Sequence, residues 1–318
     1  MTQSAARHPF WQTTLMLAGL AWMALGDAAS AQASKAAQKA NSENVTFPTR
    51  DGGQLRGTYF PSMAGPNAPV AILLHGRGGN RLVWQAAKGQ NPGFAQALQQ
   101  NDFAVITVDL RHHGESGGAA NPGAKKNEVK LSPRDYQAMV ELDLEAVKKF
   151  LFDEHQQKKL NMNKLAIVSA DFTTAVALTY TELDWSKLPY DDAPTLAQRT
   201  PRGQDVKALV MLSPETTVPG LVTTAAINRL RAMKMPVMIG IGKKDKADRG
   251  SAKKLAEQLM PKDEPMPYVF YQEYETSARG TDLLNLGVGV EPQMYKFLDE
   301  YLKKQPGEWR DRKSPLFD

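Results

Sequence analysis

Lys164–Leu178 reads KLAIVSADFTTAVAL. Lys164–Ala170 is an apolar run of strand length, and Phe172–Tyr180 reads as the start of a helix: two threonines, then Ala-Val-Ala-Leu. Asp171 stands at the corner between them, with neither Gly nor Pro to make the turn. A buried-looking strand that passes straight into a helix through a carboxylate is the feature around which the rest of the chain is read.

Outward from this corner, apolar runs and helical stripes alternate. Upstream, Val70–Leu74 (VAILL) is continuously apolar, as a strand buried on both faces requires, and ends at His75-Gly76-Arg77-Gly78-Gly79. A short helix is predicted over Phe94–Gln100. A second buried strand, Ala104–Val108, ends at Asp109-Leu110-Arg111-His112-His113-Gly114. A Gly/Ala/Asn/Pro-rich loop then runs to about Pro133. Asp135–Glu154 is predicted helical, with Met139, Leu142, Ala146, Val147 and Phe150 on one stripe. Nearer the start, Val45–Pro48 and Leu55–Tyr59 flank Arg50-Asp51-Gly52-Gly53, a hairpin signal. Downstream of the corner, a polar loop spans Asp184–Gln204. Val206–Leu212 is a strand ending in Ser213-Pro214-Glu215, and Leu221–Met233 is helical. Pro236–Ile241 is a strand closing on Gly242-Lys243-Lys244-Asp245. Ser251–Leu259, Tyr268–Tyr274 and Pro292–Lys303 complete the series as helix, strand and helix. Such alternation predicts one α/β domain over residues 45–304, with an open, mostly parallel sheet and helices on both faces. Residues 305–318 are left as a C-terminal tail.

Composition bounds the function. The 318 residues are 42% hydrophobic and 23% charged, ordinary for a globular protein. The net charge of +5 is spread along the chain. Its densest basic region, Arg231–Lys254, is interrupted by Asp245 and Asp248 and reads as a solvated surface rather than a polyanion site. No cysteine is present, which excludes disulfides, thiol catalysis and cysteine metal sites. Arg7 and His8 precede the apolar run Leu15–Leu25, and small residues follow to Ala29-Ser30-Ala31. That is the layout of a secretory signal peptide over residues 1–31, cleaved after Ala31; a retained anchor is the alternative. Residues 32–44 read as a disordered linker. The expected protein is exported, to the periplasm or beyond, with no stable membrane span. No P-loop, dinucleotide fingerprint or metal-ligand spacing appears, so neither cofactor, metal nor nucleic acid is expected. A small-molecule or polymer ligand stays open.

Four motifs in order, strand–His-Gly-x-Gly-Gly, strand–Asp-Leu-Arg-x-His-Gly-x-Ser, strand–corner–helix and strand–Gly-x-x-Asp, resemble those of an α/β-hydrolase over Val45–Lys303. The resemblance implies a central sheet of about eight strands, with a site at the strands' carboxyl ends. It places the nucleophile elbow, usually G-x-S-x-G, at Ser169-Ala170-Asp171-Phe172-Thr173, with Asp171 where serine is expected. Thr173 and Ser169 in place of glycines suggest a relaxed elbow. Oxyanion-hole N–H groups are implied at Phe172 and around Gly76 and Arg77, and His75 is expected to shape that turn. Asp245 matches the triad acid, with Glu215 as the fallback. The triad base would lie in Ser277-Ala278-Arg279-Gly280-Thr281, where Arg279 holds the histidine position; no histidine follows His155. Arginine cannot act as a base, because it does not lose its proton in proteins.

Three readings follow. The first is a non-catalytic member in which Asp171, Arg279 and Asp245 form an Asp–Arg–Asp ion bridge across the former triad; a guanidinium beyond about 4 Å from both carboxylates would rule it out. The second keeps Asp171 as a nucleophile, as in dehalogenases and epoxide hydrolases of this family, with His112 or His113 as a candidate base. Against it, Thr216–Met235 is too short for the cap domain those enzymes carry. The third is an esterase or peptidase using another serine, Ser116 or Ser169. Gly114-Glu115-Ser116-Gly117-Gly118 matches G-x-S-x-G literally but opens a loop rather than a helix.

Overall fold

Period-two alternation in the apolar strands settles which way each side chain faces. In β3 (Val70–Leu74), Val70, Ile72 and Leu74 join the core on one face of the sheet, and Ala71 and Leu73 the core on the other. β5 (Leu165–Ala170) divides likewise, with Leu165 and Ile167 on the first side and Ala166, Val168 and Ala170 on the second. Each large aliphatic side chain so enclosed contributes about 1.5 to 3 kcal/mol. These strands are therefore fixed in register, because a one-residue slip would exchange the two faces.

The computed structural model describes residues 41–117, 130–260 and 268–317. Ser42–Asp318 forms one compact unit. Its sheet has eight strands in the order β1-β2-β4-β3-β5-β6-β7-β8. β1 (Glu43–Pro48) and β2 (Gln54–Phe60) form the expected antiparallel hairpin, and β2 runs antiparallel to β4 (Ala104–Asp109). From β4 through β3, β5, β6 (Val206–Leu212), β7 (Val237–Gly242) and β8 (Val269–Tyr274), all pairs are parallel. Their carboxyl ends therefore share one edge of the sheet. The carboxyl ends of β3, β5, β6, β7 and β8 lead into His75-Gly76-Arg77, Asp171, Ser213–Glu215, Asp245 and Arg279. The helices are α1 (Phe94–Gln99), α2 (Pro133–Ala138), α3 (Leu144–Gln156), α4 (Thr173–Ser186), α5 (Thr224–Ala232), α6 (Ser251–Leu259) and α7 (Val290–Leu298). Only α5 and loops lie between β6 and β7, so that connection holds no cap domain.

Several expectations shift. The helix expected over Asp135–Glu154 starts at Pro133, where Ser132 and Asp135 form a capping box. It is also interrupted by a π-turn, Met139–Asp143. That extra residue turns Asp143 inward, where it takes three contacts from the Arg111 side chain at 2.5–3.1 Å. α4 continues to Ser186, past the expected loop boundary at Asp184. β1 starts at Glu43, inside the segment read as linker. The C-terminal tail is packed rather than loose: Trp309 stacks on His155 at 5.0 Å, and buried Arg312 pairs with Asp205. The signal peptide and most of the linker lie outside the described residues, as does most of the loop before Pro133. Among the described residues, no helix is long and apolar enough to cross a membrane.

Candidate functional site

Asp171 adopts φ +52°, a left-handed conformation that costs a non-glycine residue about 1 to 2 kcal/mol. The strand–helix corner is thus sharp, not relaxed as the missing glycines suggested. It is held by backbone bonds on both sides: Asp171 N–H donates to Leu212 O at 3.0 Å, while Glu215 N–H and Thr174 N–H each donate to Asp171 O at 3.1 Å. Thr173 fits because its hydroxyl closes the turn, accepting from Ala170 N–H at 2.9 Å and donating to Ala170 O at 2.8 Å. Ser169, fully buried, donates to Val210 O at 3.2 Å. Hydroxyls that find backbone partners, Thr173 within the turn and Ser169 on the neighbouring strand, thus replace the usual glycines without opening it.

The Asp171 carboxylate is enclosed. Oδ2 accepts the Arg77 backbone N–H at 3.2 Å, one of the expected oxyanion-hole donors. Gly76 and Gly280 flank it so closely that a Cβ on either would lie 2.4 Å from Oδ2. Gly280 also needs its φ of +54°, and its N–H donates to Ser213 Oγ at 2.9 Å. Arg279 Nε lies 3.0 Å from Oδ1; the contact is an ion pair without hydrogen-bond alignment, and Oδ1 has less than 1 Å² of exposed surface. Burial pushes the Asp171 carboxyl up to about 6, against the pull of Arg279 and the Arg77 N–H.

Arg279 joins three carboxylates. Besides Asp171, its Nη1 bonds Asp245 at 2.8 Å and its Nη2 bonds Glu215 at 3.0 Å. Glu215 in turn accepts from Arg77 Nη2 at 2.7 Å. The Arg77 guanidinium lies over the Phe172 ring, 5.5 Å from its centroid. The side chains of Asp171, Arg279 and Asp245 therefore meet, and Glu215 and Arg77 extend the cluster across the strand ends. The Arg77 side chain was not foreseen from the sequence, which pointed only to its backbone; its sole signal is a long cation inside a glycine turn. Ser213, buried at φ +47°, was likewise unforeseen.

The histidines lie outside this cluster. His75 is fully buried; its Nε2 accepts from Leu110 N–H at 3.3 Å and its Nδ1–H donates to Gly76 O at 2.9 Å. Burial first, and His113 second, lower its basicity to about 3, so it is a neutral brace for the turn. His113 stacks on Phe172 at 5.6 Å and donates from Nδ1 to Arg111 O at 2.9 Å. Burial lowers its basicity too. His112 is 3.0 Å from Asp135. Among the described residues, none of the three hydrogen-bonds Asp171. Ser116 is committed to the loop, donating to Asp109 O at 2.6 Å and accepting from Arg56 N–H at 2.7 Å.

Two clefts bear on the site. One of about 320 Å³ lies beside the cluster and is bordered by Glu215 and Arg279. A larger one, about 700 Å³, lies between α1 and the start of α7 and contains none of the cluster's side chains.

Residues 71–317 match the profile of the Alpha/beta hydrolase family. An esterase of Pyrococcus furiosus superposes with a TM-score of 0.51 at 16% identity, covering 82% of this chain and 92% of its own. A hypothetical protein of Pseudomonas aeruginosa superposes with a TM-score of 0.51 at 13% identity, covering 82% of this chain and 94% of its own. At these identities the likeness is one of fold. No curated protein matches the chain in sequence.

Proposed function

This chain belongs to the alpha/beta hydrolase family, and within it we propose a non-catalytic role: an Asp171–Arg279–Asp245 ion cluster stands in place of a Ser-His-Asp triad, and the fold binds a ligand rather than turning one over. The N-terminal layout adds the proposal that the protein is exported and acts outside the cytoplasm.

The observation that carries this reading is the commitment of both Asp171 oxygens. Oδ2 sits on the Arg77 N–H, the donor that would otherwise steady a substrate's developing negative charge. Oδ1 is sealed and faces a guanidinium. Arg279 cannot accept a proton, and the nearby histidines are turned to backbone carbonyls. Nucleophile, base and open hole are each unsupported.

A second reading has one observation in its favour. When a carboxylate attacks carbon, its other oxygen becomes the carbonyl of the resulting ester, and a backbone N–H on that oxygen would polarise it for hydrolysis. Oδ2 on Arg77 N–H has that placement. Yet the oxygen left to attack would be Oδ1, which no substrate can reach without displacing Arg279. The deciding experiment exposes purified protein to p-nitrophenyl acetate, a haloalkane, an epoxide and a serine-directed fluorophosphonate. The expected result is no labelling and no turnover above that of Asp171→Ala. Turnover that Asp171→Ala abolishes would establish the aspartate hydrolase, and stoichiometric labelling would point to an unorthodox serine.

A further inference from the structure

We propose that the cleft beside the ion cluster is a binding site for a neutral, hydroxyl-rich small molecule of monosaccharide size. The proposal rests on the non-catalytic reading and adds the class of ligand. Three properties of the cleft carry it: its size, its lining hydroxyls and the balance of charge along its wall.

The cleft, about 320 Å³, lies at the carboxyl ends of β6 and β7. That is at the lower end of the range for small-molecule sites, roughly 300–1,000 Å³. Thr216, Thr217 and Ser251 line it, and among the described residues the hydrogen bonds of Thr216 and Ser251 run through backbone atoms rather than their hydroxyls. Asp248 also lines it but is occupied, with its two carboxylate oxygens accepting from Gly250 N–H and Ala252 N–H at 2.8 Å each.

Charge then selects the ligand. The wall holds Glu215, Asp248 and Arg279, and the cluster behind it has two guanidiniums, Arg77 and Arg279, against three carboxylates, Asp171, Glu215 and Asp245. An anion would need Arg279, whose charge is already shared among the three carboxylates. A cation would need Glu215, whose two oxygens already face one guanidinium each. Either charge at these two groups would displace an existing ion pair, and Asp248, the other carboxylate of the lining, is buried with both oxygens already accepting backbone N–H groups. Hydrogen-bonding capacity, by contrast, is left over. A guanidinium has five N–H groups, and Arg279 hydrogen-bonds carboxylates through two of them, to Asp245 and Glu215. Each Glu215 oxygen keeps a lone pair. A hydroxyl can donate to Glu215 and accept from Arg279 at once, and the hydroxyls of Thr216, Thr217 and Ser251 do either. A neutral polyol can therefore pair with Glu215, Arg279 and the lining hydroxyls without disturbing the cluster.

The test is titration of the full-length protein by calorimetry and by saturation-transfer NMR with D-glucose, D-galactose and myo-inositol, beside sodium acetate, sodium phosphate and ethylammonium chloride. For a ligand of this size, dissociation constants of roughly 1–10 mM are expected. At least one polyol should bind, and the three ions should bind at least tenfold more weakly. Two blocking substitutions on separate loops, Thr217→Trp and Ala247→Trp, should each remove the polyol signal, with folding checked by circular dichroism; either alone suffices if the other does not fold. No binding by any polyol, undiminished binding in a folded blocked variant, or tighter binding of an ion would each overturn the proposal. Hydrolysis of glucose pentaacetate is assayed separately. Turnover lost in Asp171→Ala would sink the non-catalytic reading, while the ligand class still stands or falls on the titrations.

Discussion

Asp171 carries two opposed demands. Its position on the sheet edge encloses it, which favours the protonated acid; its neighbours Arg279 and the Arg77 N–H favour the carboxylate. Burial is the larger effect, and the group is displaced from 3.8 to about 6. A carboxyl raised in the folded state binds its proton where the unfolded chain has already lost it. Its contribution to stability is therefore full below 3.8 and is lost as pH rises through about 6. The difference amounts to at most about 3 kcal/mol. Urea midpoints measured from pH 4 to 7 should fall more steeply for the parent than for Asp171→Asn, which has no proton to lose; parallel curves would refute the shift. Arg279 is the complementary case. Arg279→Met leaves Asp171 and Asp245 without their cation, beside a Glu215 that keeps only Arg77, and should cost about 3 kcal/mol. Combined with Asp171→Asn, the loss should be less than additive by about 1 to 2 kcal/mol, and a coupling near zero would mean that the pair is only a surface contact.

At the scale of elements, the corner between β5 and α4 and the turn after β8 are fitted to each other. Gly280→Ala would bring a Cβ onto the Asp171 carboxylate and force an alanine to φ +54°. A loss of about 3 kcal/mol is expected. In an Asp171→Gly background the overlap disappears and the cost should fall to about 1 kcal/mol, read from the same urea transitions. Equal losses in both backgrounds would locate the strain in the backbone alone. These elements also show what a sequence reveals. β3 and β5 were legible because VAILL and LAIVSA leave one arrangement, a strand buried on both faces. The contact of Asp171 with Arg279 was legible because each departs from the motif around it, and the departures are opposite in charge. The π-turn at Met139–Asp143 was not, since it depends on where Arg111 lies in the folded chain rather than on any local period. Nor was the sharpness of the corner: the threonine that looked too bulky closes the turn through its hydroxyl. The roles of Arg77 and Glu215 were half legible, because charge at a strand end does not say which partner it will reach.

Across the whole molecule, a second ion cluster, at the amino end of β6 rather than at the strands' carboxyl ends, draws the C-terminal segment into the fold. Lys148 of α3 pairs with Asp184 of α4 and, at 2.7 Å, with Asp205 at the start of β6. Arg312 reaches Asp205 from the C-terminal segment, and Asp184 accepts Asp205 N–H at 2.7 Å and Val206 N–H at 3.1 Å. Burial opposes charge on Asp205, but Lys148 and Arg312 outweigh it and hold the carboxyl below the ordinary range. Its contribution is full above 3.8 and fades as pH falls through the lowered value. The C-terminal segment has further anchors: Trp309 Nε1–H donates to His155 O at 2.9 Å, and Phe317 packs against Tyr190 at 5.1 Å. Polar composition made residues 305–318 read as a tail because the decisive contacts are with residues more than a hundred positions away. Arg312→Met leaves two buried carboxylates facing one lysine and should cost about 3 to 5 kcal/mol. Truncation after Lys304 removes the stacked Trp309 as well, so its melting temperature should fall further than that of Arg312→Met. A truncated protein as stable as the parent would mean that the segment only rests on the surface. One that unfolds like Arg312→Met, and no earlier, would assign the whole contribution to the single guanidinium.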